Sequence, residues 1–187
     1  VLIATQLQTV GSVMTNEGNK ILAQGEKLYQ EHNYKDAINS YKEIIGSSKF
    51  SEESKKKAYL KLIECLKLIK QWDNALTSFD SYLKLHENDN LFQARMYTAG
   101  AELYQVVPHN GYKRKGKVFR NQELREGDYV YLETEDRAKA SEYFKKAKDF
   151  YYKLEEGKVV NEEVINLNFK ITDFLQYNNY YYDYESK

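Results

Sequence analysis

Apolar and aromatic side chains recur at intervals of three and four residues along most of this chain, as they do on one face of an α-helix. Two segments repeat one pattern of aromatic, small, aromatic and bulky residues 38 residues apart. The matching positions are Tyr34, Ala37, Tyr41, Ile44 and Trp72, Ala75, Phe79, Tyr82. Because these positions follow the helical period, we interpret them as packing positions. A repeat of this length predicts stacked pairs of helices.

A third copy of the pattern is weaker. It keeps the small and aromatic positions at Ala140, Phe144 and Ala147, but Arg137 replaces the leading aromatic residue. Each copy follows a second stretch of helical periodicity, and these stretches are residues 21–30, 54–69 and 91–105. Each repeat is therefore expected to be a helical hairpin.

Small and polar residues predict where these helices begin, end and cross. Gly25 lies in the first helix, where close packing against a neighbouring helix requires a residue without a side chain. Asn33 with Asp36 is typical of a capping box, and Gly46 follows an apolar pair as a C-terminal stop. Ser51 precedes two glutamates and is expected to cap the helix that follows.

These signals predict an all-α fold in a single domain over residues 1–187. Its parts are an N-terminal helix 1–15, repeat one 18–50, repeat two 51–88, repeat three 89–156 with an insertion at 106–134, and a C-terminal capping helix with a tyrosine-rich tail at 161–187.

The insertion at 106–134 is the part of the chain where helical periodicity disappears. It carries five basic residues and no acid over 111–120, at Lys113, Arg114, Lys115, Lys117 and Arg120. We expect a long loop or a β-hairpin that pairs 117–120 with 129–132. Clustered cations of this kind suit an acidic protein surface or a phosphate, while the alternative is a loop whose charges serve only solubility.

The order of residues within each repeat resembles the tetratricopeptide repeat (TPR) family. A glycine lies in the first helix, an aromatic residue at the turn, an alanine early in the second helix and an aromatic residue four positions later, as in Gly25, Tyr34, Ala37 and Tyr41. The resemblance covers about residues 18–154, with a period longer than the family's usual one of about 34 residues and without its closing proline. It implies a right-handed superhelix of helical hairpins.

Segments 50–58 and 79–85 are more narrowly similar to bacterial outer-membrane assembly lipoproteins of the BamD type. That similarity implies action in the bacterial cell envelope, on the periplasmic side and lipid-anchored. Without it, the expected compartment is the cytoplasm.

The TPR resemblance also implies a binding surface, because first helices of such hairpins line a concave groove. The matching positions are Asn19, Leu22, Glu26, Tyr29, Lys57, Leu60, Glu64, Lys67, Tyr97, Ala101 and Tyr104. We therefore expect a non-enzymatic adaptor that binds another protein or peptide through this groove, through the basic insertion, or through both.

Composition and motifs bear on two alternatives to an adaptor, a nucleic-acid binder and an enzyme. Basic and acidic residues both number 28, so no global field draws the chain to nucleic acid, although Tyr112 and Phe119 keep a polyanion or nucleic-acid binder as an alternative. An enzyme with its site at the insertion is the other alternative. The sequence has no phosphate-binding or nucleophile motif, and it predicts no cofactor and no metal.

No apolar run reaches the roughly 20 residues of a membrane span. Cys65 is expected to be buried and unreactive.

Overall fold

The computed structural model describes residues 19–120, 126–154 and 161–185. The described residues form seven helices and three strands in the order α1 to α5, β1 to β3, α6 and α7. The helices are α1 (residues 19–30), α2 (Tyr34–Gly46), α3 (Glu52–Leu68), α4 (Trp72–Leu83), α5 (Asn90–Val106), α6 (Glu133–Tyr152) and α7 (Asn161–Glu185). The strands are β1 (Asn110–Arg114), β2 (Lys117–Phe119) and β3 (Asp128–Tyr131). The protein is mostly helical, as predicted, but its small sheet means that the all-α prediction holds only in part.

The chain forms two compact units where the sequence predicts one domain. The first unit contains α1 to α4 and the three strands, and the second contains α5 to α7. The predicted N-terminal helix 1–15 and the side chains of the tyrosine-rich tail at 177–187 lie outside the described residues.

Five of the eight repeat positions lie in the core of the first unit. Ala37, Tyr41, Ile44, Ala75 and Phe79 are fully buried, which confirms that these five serve packing. The other three, Tyr34, Trp72 and Tyr82, are half-buried. A Cβ atom on Gly25 would lie 2.8 Å from the Tyr41 ring, so this glycine allows α1 to approach α2 closely. The prediction of a close crossing at this glycine is confirmed.

Two predicted helix caps have different outcomes. The Ser51 hydroxyl accepts a hydrogen bond from the Ser54 backbone N–H at 3.1 Å, as expected of an N-cap. Asn33 precedes α2, but its side chain makes no capping hydrogen bond. Its amide instead donates to the Asp36 carboxylate at 2.6 Å, so the predicted capping box is wrong.

The insertion is a three-stranded antiparallel sheet with strand order β2-β1-β3. Strand β1 lies in the centre and pairs with β2 through Tyr112 and Phe119, and with β3 through Tyr112 and Tyr129. The predicted pairing of 117–120 with 129–132 is therefore wrong, because both segments pair with β1. The sequence signal for β1 was weak, since Gly111 and the run of cations are poor strand formers.

The second unit joins α5, α6 and the start of α7. The Arg95 guanidinium on α5 binds the Glu163 carboxylate on α7 with two hydrogen bonds of 2.9 and 2.7 Å. The Tyr151 hydroxyl on α6 donates to the same carboxylate at 2.8 Å. Glu163 thus connects all three helices, while Phe144 and Phe174 pack together between α6 and α7.

Candidate partner-binding surfaces

The sheet has a tight turn that its sequence explains. Two residues, Lys115 and Gly116, connect β1 to β2 with φ angles of 47° and 79°. Two positive φ values in a two-residue loop match the right-handed twist of the flanking strands. Gly127 enters β3 with φ of 107°, and a Cβ there would lie 2.5 Å from the Lys113 carbonyl oxygen. Glycine is therefore required where β3 comes alongside β1.

One face of the sheet is aromatic. Side chains alternate between the two faces of a strand, and cross-strand partners share a face. The register therefore places four aromatic residues on one face, and these are Tyr112, Phe119, Tyr129 and Tyr131. The rings of Tyr112 and Tyr129 pack edge to face with centroids 5.8 Å apart. We call these four residues the aromatic face.

Two members of the aromatic face are largely exposed. The exposed fractions of Tyr129 and Tyr131 are 61% and 63%. Large neighbouring aromatic side chains left exposed on a sheet are typical of interaction surfaces. The alternation of Tyr129, Val130, Tyr131 and Leu132 was the sequence signal for a strand, and it could also have identified these tyrosines as a candidate site.

The five predicted basic residues do not form one cluster. Lys113, Lys115 and Lys117 are exposed around the β1–β2 turn. The Arg114 guanidinium lies 4.4 Å from the Phe119 ring centroid and is paired with Glu126 at 3.1 Å. Arg114 therefore has an anionic partner, and the three lysines are the exposed cations of the described part of the insertion.

Arg120 has a structural position, which corrects its prediction as a binding residue. It is 6% exposed, and its guanidinium donates to the Pro108 carbonyl. Its backbone N–H donates to the Asp73 carboxylate in the first turn of α4 at 2.9 Å. This residue fastens the end of β2 to the helices of the first unit, and its side chain is not available to a partner.

Predicted groove residues on α1 and α3 form a polar cluster. The Tyr29 hydroxyl donates to Glu64 Oε1 at 2.5 Å, and Lys61 Nζ donates to Glu64 Oε2 at 3.2 Å. The same ammonium lies 4.4 Å from the centroid of the Tyr29 ring. The sequence predicted Tyr29 and Glu64 as neighbours on one surface but did not identify Lys61.

The electrostatics of this cluster follow from its hydrogen bonds. The bond to Glu64 raises the pKa of Tyr29, and burial adds to that effect. Burial acts to raise the pKa of Glu64, but hydrogen bonds from Tyr29 and Lys61 outweigh it and hold that pKa below its usual value. Burial lowers the pKa of the nearby Lys67. The carboxylate is thus satisfied by its own neighbours and has limited capacity for a ligand.

The remaining predicted groove residues of the first unit differ in exposure. Asn19, Glu26 and Lys57 are exposed, and Leu60 is half-buried. Leu22 is 8% exposed and belongs to the core. Its prediction as a groove residue is corrected, because its side chain packs inside the unit.

Predicted groove residues of the second unit form an aromatic cluster between α5 and α6. The Tyr97 ring stacks on Phe150 at 5.6 Å and lies 5.4 Å from Tyr143. The Tyr104 ring packs edge to face with Tyr143 at a centroid distance of 5.7 Å, and the Lys146 ammonium lies 5.3 Å from the Tyr97 centroid. These rings hold two helices together and are only half-exposed at Tyr97 and Tyr104. Ala101 is fully buried in α5, so it offers no surface to a partner.

Other chemistry is sparse in the part of the chain that the structure describes. Cys65 is fully buried, as predicted, and burial raises its pKa to about 12, which keeps it a thiol. No group of three or more His, Cys, Asp or Glu side chains within 19–120, 126–154 and 161–176 is arranged to hold a metal ion. None of the described helices combines the length and the apolar character that a membrane span requires. Comparison with protein-family models, with curated proteins and with solved structures gave no match to this chain.

Proposed function

We propose that this chain is a non-enzymatic adaptor that binds a partner polypeptide through the inserted sheet. The observation that carries the proposal is the pair of exposed tyrosines on the aromatic face, Tyr129 and Tyr131. Tyrosine contributes a large contact area at low cost in side-chain entropy and is enriched in the energetically dominant parts of interfaces. Three exposed lysines in and beside the β1–β2 turn of the same sheet add electrostatic attraction to an acidic region of the partner.

We further propose that the helices belong to the TPR-like class of right-handed superhelices. Support comes from the repeat positions, five of which are buried in the first unit, and from Gly25, which fits closely against Tyr41. The contact of Tyr29 on α1 with Glu64 on α3 supports it too, because first helices of successive TPR hairpins are neighbours. The exposed groove residues Asn19, Glu26 and Lys57 would then form a secondary contact surface. Action in the bacterial cell envelope, as a lipid-anchored protein, depends on the BamD-type resemblance and stays a prediction.

Retention of partners from a lysate of the source cell tests the proposal. The intact chain is compared with a variant carrying Tyr129→Ser and Tyr131→Ser, and partners are identified by mass spectrometry and confirmed by binding of the purified proteins. Tyr152→Ser is the matched control, because Tyr152 is 70% exposed on α6 and belongs to the second unit, whereas the sheet belongs to the first. We expect a partner that the intact chain and the control retain and the double variant loses. Equal retention by all three forms would contradict a role for the aromatic face.

A polyanion or nucleic-acid binder is the second candidate. The observation that favours it is the proximity of exposed tyrosines to Lys113, Lys115 and Lys117, since aromatic rings stack on bases and cations neutralise phosphates. This function predicts oligonucleotide binding whose affinity falls steeply with salt, by a logarithmic slope of about −0.7 for each phosphate contacted. Fluorescence anisotropy with a labelled single strand at several salt concentrations distinguishes it from the adaptor.

An enzyme with its site at the insertion is the third candidate, and a screen for turnover of bound small molecules would test it.

A further inference from the structure

The hydrogen-bond pattern of the sheet indicates what kind of polypeptide the aromatic face can take. Strand β3 lies at an edge of the order β2-β1-β3 formed by the described strands. In an antiparallel pair, hydrogen-bonded and non-hydrogen-bonded residue pairs alternate along the ladder. Which main-chain groups of β3 point away from β1 can therefore be worked out from any one pair.

Two independent pairs give the same assignment for Tyr129. The Leu132 N–H donates to the His109 carbonyl at 2.7 Å, in continuation of the β1–β3 register, so Val130 is hydrogen-bonded to β1 and Tyr129 is not. From the other side, a two-residue hairpin loop closes on a hydrogen-bonded pair, here Arg114 with Lys117, and Arg114 lies two residues after Tyr112. Tyr112 thus bonds to β2 and turns away from Tyr129. The N–H and carbonyl of Tyr129 both point to the outer side of β3.

Main-chain hydrogen bonds and side-chain exposure characterise this edge within the residues that the structure describes. No backbone hydrogen bond outside the sheet reaches Tyr129 from any residue described in the structure. The side chains of Asp128, Tyr129 and Tyr131 are all exposed. In a strand pair, the main chains hydrogen-bond along the edge while the side chains lie on the two faces of the sheet. One bound partner can therefore hydrogen-bond to the outward main chain of β3 and also contact the exposed tyrosines.

We propose that β3 binds an extended segment of a partner polypeptide as a fourth, antiparallel strand of this sheet. The proposal rests on the adaptor function above and specifies its mode. The incoming strand forms a hydrogen-bonded pair with Tyr129, and its side chain at that position packs on the aromatic face. The next position along the strand faces Asp128 on the opposite side of the sheet. Asp128 already lies across from Lys113 of β1, and a lysine or arginine of the incoming strand would continue this row of alternating charge on the other side of Asp128. The expected ligand therefore alternates aromatic or β-branched residues with polar ones and carries one basic residue.

A substitution pair separates main-chain from side-chain binding. Tyr129→Pro removes the outward N–H but no hydrogen bond to β1, and proline is tolerated on an edge strand in this orientation. Tyr129→Thr removes the ring but keeps the N–H and a good strand former. Thermal unfolding of both variants is expected to match that of the unaltered chain, and unchanged hydrogen exchange of the Val130 amide, which bonds to β1, establishes that the sheet remains folded.

The probe is a library of random eight-residue peptides displayed on phage and selected on the full chain. We expect enriched peptides with the alternating pattern and one basic residue, and slower hydrogen exchange of the Tyr129 amide when a synthetic copy binds. The affinity of that peptide should fall more than about tenfold with Tyr129→Pro, but less than about fivefold with Tyr129→Thr.

Three results would overturn strand addition. Equal losses in the two variants would mean that the peptide rests on the aromatic face through side chains, so that strand addition fails while the adaptor function stands. No loss in either variant would mean that the peptide binds elsewhere. Failure to enrich any peptide would also contradict the proposal, whereas the lysate experiment with the double tyrosine variant tests the adaptor function separately.

Discussion

At the scale of single residues, two helical glycines have opposite roles, one in the middle of α1 and one at the end of α2. Gly25 is buried in α1, and a Cβ there would lie 2.8 Å from Tyr41 Cε1 and 3.2 Å from Cζ. The Tyr41 ring is fully buried and has little room to move. Gly46 ends α2, is exposed, and has no atom within 4 Å of an added Cβ. The surroundings, and not the residue type, decide the effect of a side chain.

Gly25→Ala is therefore expected to destabilise the protein, and Gly46→Ala is its matched control. The methyl group added at position 25 forces the Tyr41 ring to shift, which costs about 1–3 kcal/mol and exceeds the gain of about 1 kcal/mol from helix propensity. At position 46 the same change should be neutral or stabilise by up to about 1 kcal/mol. Urea unfolding of both variants measures the free energies. Equal effects at the two positions would show that α1 does not depend on close approach to α2.

Arg120 illustrates why side-chain roles in the insertion could not be predicted. A cation in a basic run is normally solvated, so the sequence grouped it with its neighbours. Its burial depends on the Pro108 carbonyl and on Asp73, which lies 47 residues earlier in the chain. Sequence spacing gives no information on such distant partners, whereas Ala37 and Tyr41 follow the helical period and were predicted correctly as core residues.

At the scale of elements, two residues that precede helices, Ser51 and Asn33, show that a favourable N-cap residue type does not always form a cap. Ser51 caps α3 through a hydrogen bond to the Ser54 N–H, whereas Asn33 makes no such bond to α2 although both residue types favour N-caps. Ser51→Ala should therefore lower the free energy of unfolding by about 1 kcal/mol. Asn33→Ala should lower it by less than about 0.5 kcal/mol, because only an exposed side-chain contact with Asp36 is lost. Chemical denaturation checks both, and a larger loss at Asn33 would contradict the assignment of caps.

Helices were easier to predict than the sheet for a physical reason. The periodicity over 54–69 gave α3 within two residues at its start and one at its end, because a helix is built from contacts between residues three and four apart. A sheet is built from pairs distant in sequence, and its order depends on turns. Here Lys115 and Gly116 close a two-residue hairpin, so Lys117–Phe119 (β2) pairs with one edge of β1. Strand β3 then pairs with the other edge of β1. The aromatic face depends on the strand order β2-β1-β3, so the sequence could not predict this face without predicting that order.

At the scale of the whole molecule, titratable groups in both units have pKa values that folding displaces. Burial raises the pKa of Cys65 to about 12, and burial also raises the pKa values of Tyr41 and Tyr151. The hydrogen bond to Glu64, followed by burial, raises the pKa of Tyr29. In each case the folded state holds a proton that the unfolded chain releases at its ordinary pKa of 9.0 for the thiol or 10.0 for the phenols. Lys67 acts in the opposite direction, since burial lowers its pKa from 10.5.

Stability is consequently expected to fall in alkali before Tyr29, Tyr41 or Tyr151 ionises in the folded state. A group whose pKa is raised by folding contributes stability that is complete below the unfolded pKa and is lost as the pH rises toward the folded pKa. The free energy of unfolding should therefore be level between pH 7 and about 9 and decrease from about 9 upward, because several raised groups outweigh the single lowered lysine. Urea unfolding at pH 7, 9, 10 and 11 measures this slope. Cys65→Ala should lose stability at pH 7 through the cavity it creates, yet show a shallower decline between pH 9 and 10. If the stability of Cys65→Ala declined as steeply as that of the unaltered chain, the Cys65 thiol would ionise in the folded state as readily as in the unfolded chain. That result would contradict the burial of this thiol in the structure.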